Sequence, residues 1–126
     1  MEINKELIDG LFEQAQVNPR LRQNNDLRTS EGDHSQRMLN ALLPGTVVPI
    51  HRHPQSTENV FLLCGKIVEV VYDNEGNETD RILLDPTAGS YGCVVPQGAW
   101  HTVELLEPSV IFEAKDGKFG EDGSET

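Results

Sequence analysis

Apolar residues recur at helical spacing near the start of the chain and at the shorter period of strands after it. Leu7, Ile8, Leu11, Phe12 and Ala15 share one helix face, Asn4 can cap that helix, and Pro19 requires it to have ended. The stretch RLRQNNDLRTSEGDHSQ (20–36) is polar and reads as irregular. From there the pattern predicts short strands over Gln36–Leu42, Val47–His51, Asn59–Cys64, Lys66–Tyr72, Thr79–Leu84, Tyr91–Val95, His101–Glu104 and Val110–Glu113. Turn signals separate them: Pro44-Gly45, DNEGN (73–77), Asp85-Pro86, Pro96-Gln97-Gly98 and Glu107-Pro108. Short strands so closely spaced predict an all-β sandwich or barrel. KDGKFGEDGSET (115–126) is polar and glycine-rich and is expected to be loose. The expected organisation is a helical and polar extension over 1–35 packed on a barrel over 36–114, with a flexible tail over 115–126.

The strand pattern is interrupted by residues that do not belong on an apolar face. His51 and His53 stand two apart, so in a strand both rings face the same side and Arg52 faces away. Glu58 opens the run ENVFLLCG, where residues 58, 60, 62 and 64 share a face by parity. A buried imidazole or carboxylate is costly unless something pairs it. VVPQGAWH brings in a third imidazole, His101, just after a turn. Three imidazoles and one carboxylate suit one first-row divalent ion: Fe, Mn, Ni, Co or Zn. Four protein ligands on a six-coordinate ion leave two open positions. A closed structural zinc site would more commonly use thiolates, and neither Cys64 nor Cys93 lies at ligand spacing. Cys64 reads as a small buried hydrophobe and His34 as a solvent-exposed loop residue.

Composition narrows the partners. The chain has 126 residues, 10 basic against 21 acidic, and a formal charge of -11. No basic stripe is available to displace counterions, so nucleic acid and anionic membranes are not expected partners. No apolar run approaches the roughly 20 residues of a membrane span. The amphipathic start MEINKELIDGLFEQA lacks the features of a secretory signal, so a soluble cytoplasmic protein is expected. Arg20, Arg22, Arg28, Arg37 and Arg52 nevertheless crowd into one third of the chain. They form either a rim for an anionic substrate, such as a sugar acid or nucleotide sugar, or pairs with surface carboxylates. Gln36 and Asn40 alternate beside the site, as substrate contacts or as a solvent-facing edge. Tyr91 is either a hydroxyl donor to substrate or a cover on the core, and Trp100 is expected to face away from His101 and pack.

Gly45-x5-His51-x-His53-x4-Glu58-x6-Gly65 resembles the first signature motif of the cupin superfamily. Pro96, Gly98 and His101 match the heart of the second, while Gly89 lies one residue too far from Pro96 and Leu105 stands where an Asn is usual. More of the chain, from His34 to Asn77, resembles the WbuC-type cupin metalloproteins, small bacterial proteins often associated with cell-surface polysaccharide gene clusters. The resemblance implies a double-stranded β-helix, or jelly-roll barrel, with a short N-terminal helix and a metal inside near one mouth. It also implies a carbohydrate context, and a homodimer through edge strands is compatible with it. Three function classes follow. The first is a metal-dependent enzyme, isomerase- or epimerase-like, on a small polar sugar or sugar-nucleotide-like substrate. The second is an iron-dependent dioxygenase, and the third a non-catalytic sensor or small-molecule-binding module.

Overall fold

The computed structural model describes residues 1–117 and 122–126. Helix α1 (Lys5–Val17) begins where the Asn4 side chain accepts from the Leu7 N–H at 3.0 Å. It ends where the Asn18 N–H returns to the Ala15 carbonyl. Its apolar stripe is buried, with Leu11 and Ala15 packing on Leu39, Ala41 and Val110. No helix among the described residues is long and apolar enough to cross a membrane.

The strands are β1 (Arg22–Asp26), β2 (Ser35–Leu42), β3 (Glu58–Cys64), β4 (Ile67–Tyr72), β5 (Glu78–Leu84), β6 (Gly92–Val95), β7 (Trp100–Leu105) and β8 (Ser109–Asp116). They make two antiparallel sheets, ordered β1-β2-β8-β3-β6 and β5-β4-β7. Leu42, Val60, Leu62 and Ile111 from the first sheet meet Ile67 and Leu84 from the second in a common core. The large sheet is therefore covered inside by the small sheet and outside by α1 over β1, β2 and Val110 of β8, while Phe61 and Leu63 of β3 and Val94 of β6 stay exposed. β2 shows this in its alternation: Gln36, Met38 and Leu42 are buried inward, Leu39 and Ala41 outward beneath the helix.

Three expectations need correction. Val47–His51 is not a strand; only His51 and Arg52 form isolated bridges, to His101 and Glu125. Pro49 has no N–H for a ladder, and Val47 is left exposed. The polar stretch does contain a strand, β1, whose residues RQNND carry no strand signal of their own. It forms because β2 offers it a complete ladder, from Arg22 opposite Leu42 to Asp26 opposite Met38. Cys64 does not continue the inward face of Glu58, Val60 and Leu62. A bulge between Leu62 and Cys64 inserts one residue, which turns Cys64 to the helix side.

The chain after residue 114 is also more engaged than its composition suggests. β8 runs on to Asp116, Lys115 and Asp122 are buried, and Glu125 pairs with Arg52 through backbone and side chain. Residues 118–121 lie outside the described residues. Gly65 closes the β3–β4 connection at φ +98°. A Cβ there would lie 2.4 Å from the Pro108 carbonyl oxygen, so only glycine fits.

Candidate metal centre

The site starts from one backbone pairing. His51 and His101 exchange both N–H···O=C bonds, at 3.0 and 2.8 Å, and stand directly opposite each other. Their ring centroids are 4.2 Å apart. His53, two residues on, brings its ring to 5.0 Å from His51 and 5.4 Å from His101. One candidate ligand atom from each ring lies within 4.8 Å of the others, a cluster that could hold a single ion. Glu58 enters from the first position of β3 and places Oε2 3.1 Å from His53 Nε2. His53, Glu58 and His101 are 5%, 3% and 2% exposed, so water does not screen them.

Each imidazole is oriented from behind. His51 Nδ1 lies 2.8 Å from the Pro49 carbonyl, which can only accept, so that nitrogen carries the proton. His53 Nδ1 lies 2.7 Å from Ser124 Oγ. The Ser124 hydroxyl donates to Asp122 Oδ1 at 2.6 Å, so the serine must accept from His53 Nδ1–H. Burial opposes charge on Asp122, but hydrogen bonds from Lys115 and Ser124 hold its carboxyl down at about 2. His101 Nδ1 lies 2.5 Å from Glu69 Oε1. With Nδ1 engaged as a donor in His51 and His53, their Nε2 atoms are left with lone pairs, and an ionised Glu69 holds His101 in the same tautomer.

Those inner nitrogens are the telling atoms. Nε2 of His53 and Nε2 of His101 are buried without any hydrogen-bond partner. The 3.1 Å between His53 Nε2 and Glu58 is short enough for a hydrogen bond, but the geometry is not that of one. With its proton on Nδ1, His53 turns a lone pair toward a carboxylate oxygen. Two acceptors in that relation repel unless a cation sits between them. Each orphaned polar atom costs about 1–3 kcal/mol. The donor set therefore fits a divalent transition ion.

The ionisation states agree. Burial, with the neighbouring His101 next in effect, pushes His51 down to about 4. Burial likewise pushes His101 down to about 4, against the opposing charge of Glu58. Both rings are thus neutral at pH 7, as a ligand must be. Burial pushes Glu69 up to about 8, with the Glu58 charge adding to it.

The centre opens on a cavity of about 380 Å³ between the sheets. Gln36 and Asn40 line it, inward rather than at a solvent-facing edge, because β1 covers β2 on that side. Arg37 is not part of it. One residue from Gln36, it must face the other way, and it pairs with Asp33 at 2.6 Å. Tyr91 is also elsewhere and is 61% exposed. The β3–β6 register puts Glu58 opposite Val95 and carries Tyr91 to the Leu62 end of the strand. Arg52 faces away from the rings, lies over Trp100 at 4.8 Å and pairs with Glu125.

Glu69, Glu113, Asp122 and Ser124 are components that sequence reasoning passed over. Glu69 in IVEVV and Glu113 in VIFEA carried the signal that singled out Glu58, a lone carboxylate within an apolar run. Nothing in GEDGSET marked Ser124.

Residues 3–84 match the family described as Domain of unknown function (DUF6016). The match includes His51, His53 and Glu58; His101 lies beyond it. No curated protein matches the sequence. Solved structures with similar folds include oxalate oxidase in complex with glycolate: TM-score 0.66, 16% identity, 86% of this chain and 56% of that one. The capsular polysaccharide assembling protein CapF from Staphylococcus aureus has TM-score 0.70 and 18% identity, over 86% of this chain and 32% of that one. KdgF from Halomonas sp. has TM-score 0.63 and 16% identity, over 81% and 84%. The chain thus spans about half of oxalate oxidase and a third of CapF. These are cupin-fold proteins, and the two antiparallel sheets with one N-terminal helix are that fold.

Proposed function

The chain belongs to the family described as Domain of unknown function (DUF6016), and from its site we propose a mononuclear metal-binding cupin in which His51, His53, His101 and Glu58 hold one divalent transition ion. The observation that carries this reading is the pair of buried, unpartnered Nε2 atoms, one of them facing a carboxylate oxygen. The ion is Fe, Mn, Ni, Co or Zn, all of which accept imidazole and carboxylate. When bound, such an ion polarises a carbonyl or hydroxyl, or activates water. The chain's own residues supply the rest. Glu69 and Ser124 hold two of the rings in the ligating tautomer, and the apolar walls keep water away.

The substrate is a small polar molecule of the sugar or sugar-nucleotide kind, and isomerisation or epimerisation is the reaction class. Two things support this: the resemblance to WbuC-type cupins, and the fold shared with a protein described as assembling capsular polysaccharide. Cell-surface polysaccharide synthesis is the corresponding context. The fold shared with oxalate oxidase favours a second reading, an iron-dependent dioxygenase, and oxygen uptake by the ferrous protein separates the two.

Elemental analysis of protein purified without added metal tests the central claim. About one ion per chain is expected for four such ligands, and His51→Ala or His101→Ala should lose it. Wild-type protein that takes up no transition ion, or a variant with full occupancy, overturns the reading. Thermal-shift screening of sugar nucleotides follows. Binding without turnover would make the protein a sensor rather than an enzyme.

A further inference from the structure

The six arginines divide sharply. Arg28 pairs with Asp26 and Glu31, Arg37 with Asp33, Arg52 with Glu125, and Arg81 with Glu78 and Glu104. Arg20 and Arg22 have no carboxylate within ion-pair distance among the described residues, although the chain holds 21 acidic residues against 10 basic ones. Both line the cavity that holds the three imidazoles.

Their placement is built rather than incidental. Arg22 lies on β1 opposite Leu42, and its Nη1 donates to the Val47 carbonyl at 3.1 Å, which fixes the guanidinium. The backbone at Arg20 is held at both ends, its N–H by Asn18 Oδ1 at 2.9 Å and its carbonyl by Thr46 Oγ1 at 2.6 Å. Leu21 between them has φ +57°, the one left-handed non-glycine among the described residues. Such a conformation is strained for a residue that carries a Cβ. Two like charges are thus brought to one cavity by a strained turn. Burial, and after it the charge of Arg20, lower the pKa of Arg22. Glu113, half-buried on the same cavity wall, attracts Arg22 but makes no ion pair with it, and burial with the Glu58 charge raises its own pKa. Lys115, on the same wall, is taken up by Asp122. One more group is unsatisfied: Asn40 Oδ1, a buried acceptor on the cavity wall, has no donor.

We propose that Arg20 and Arg22 form an oxyanion subsite, so that the cavity takes a small hydroxylated molecule bearing a carboxylate or phosphate. The guanidinium forks receive the anionic group, and Asn40 Oδ1 accepts from a hydroxyl of the same molecule. The assignment rests on the reading of this cavity as the substrate site, but not on the ion itself.

Calorimetric titration with glucuronate, glucose and inorganic phosphate tests it, on metal-loaded and metal-free protein. At least one of the two anions should bind about tenfold or more tighter than glucose. Glucuronate alone points to a carboxylate ligand, phosphate alone to a phosphorylated one. Arg22→Met and Arg20→Met should each weaken that binding about tenfold or more, with metal content unchanged. Arg81→Met, outside the cavity, should leave it as it is. Arg20 is exposed, so its variant reports even if Arg22→Met folds poorly. Anion binding no tighter than glucose, or untouched by both variants, overturns the subsite. Arginine-dependent binding in a protein that takes up no metal would sink the metal centre and leave the subsite standing.

Discussion

The two ends of the barrel interior are both built from buried side chains and are chemically opposite. Along β2 the inward residues run Gln36, Met38, Asn40, Leu42; along β3 Glu58, Val60, Leu62; along β8 Lys115, Glu113, Ile111. The register sets Gln36 beside Lys115, and Leu62 beside Ile111, so these three strands pass from a polar end to an apolar end in the same direction. At the apolar end Leu42, Ile67 and Leu84 are fully buried, and each such side chain stabilises the fold by about 1.5–3 kcal/mol. At the polar end Gln36, Glu58, Glu69, His101 and Lys115 are buried too, and each is a cost unless paired. Glu69 against His101 and Lys115 against Asp122 offset part of it. The converging Nε2 atoms and Glu58 are left over, which is the difference between a site and a core. One fold thus holds a region that stabilises it and a region that forms the candidate site.

The comparison breaks most visibly at the apolar end. Leu84→Ala should cost about 2–5 kcal/mol, since a fully buried leucine leaves both lost burial and a cavity. Denaturant unfolding measures it, and the folded variant should hold metal as tightly as the parent. His101→Ala should do the reverse. Metal affinity should fall by more than about a hundredfold if the residue supplies a ligand atom, as proposed, rather than merely orienting one. Circular dichroism should still show a cooperative thermal transition, carried by the apolar end. If that transition vanishes with the metal, the two ends are not separate.

Smaller effects sharpen the contrast. Ser124→Ala removes the acceptor that fixes the His53 tautomer, and should weaken metal binding about 10–100-fold in a competitive chelator titration. Ser124→Thr should restore it, since the hydroxyl is what matters. Metal affinity should also rise with pH by about tenfold per unit for the one proton released. The sign follows from the site. In the absence of metal the proton that burial keeps on Glu69 persists up to about 8, while His101 is neutral above about 4. Binding at Nε2 needs Nδ1–H to donate to an ionised Glu69, so that proton must leave. Calorimetry in buffers of different ionisation enthalpy counts it. No release between pH 5 and 7, a window inside those two values, would show that Glu69 is already ionised.

Much was legible from local pattern. The helix, its Asn4 cap, the DNEGN hairpin and seven of the eight strands follow from periodicity and turn chemistry. The grouping of His51, His53 and His101 was also legible, because a period of two fixes which rings share a face and the motif spacing supplies the partner. Where that reasoning failed, it failed for long-range causes. Cys64 was misplaced by a bulge that no residue in FLLC announces. Tyr91 was misplaced by one strand's register against another, and β1 was missed because a polar edge strand is made by its partner.

The sequence by itself determined which side chains alternate toward an interior, where the chain turns, and that three imidazoles and a carboxylate stand where apolar residues should be. Tertiary structure alone decided which of these faces meet. It placed Glu69 behind His101, brought Ser124 and Asp122 from the far end of the chain to His53, and set two unpaired arginines on the same cavity. The physical reason is range. Facing within a strand is set by bond geometry between neighbours, whereas convergence is set by register, bulges and sheet packing over many tens of residues.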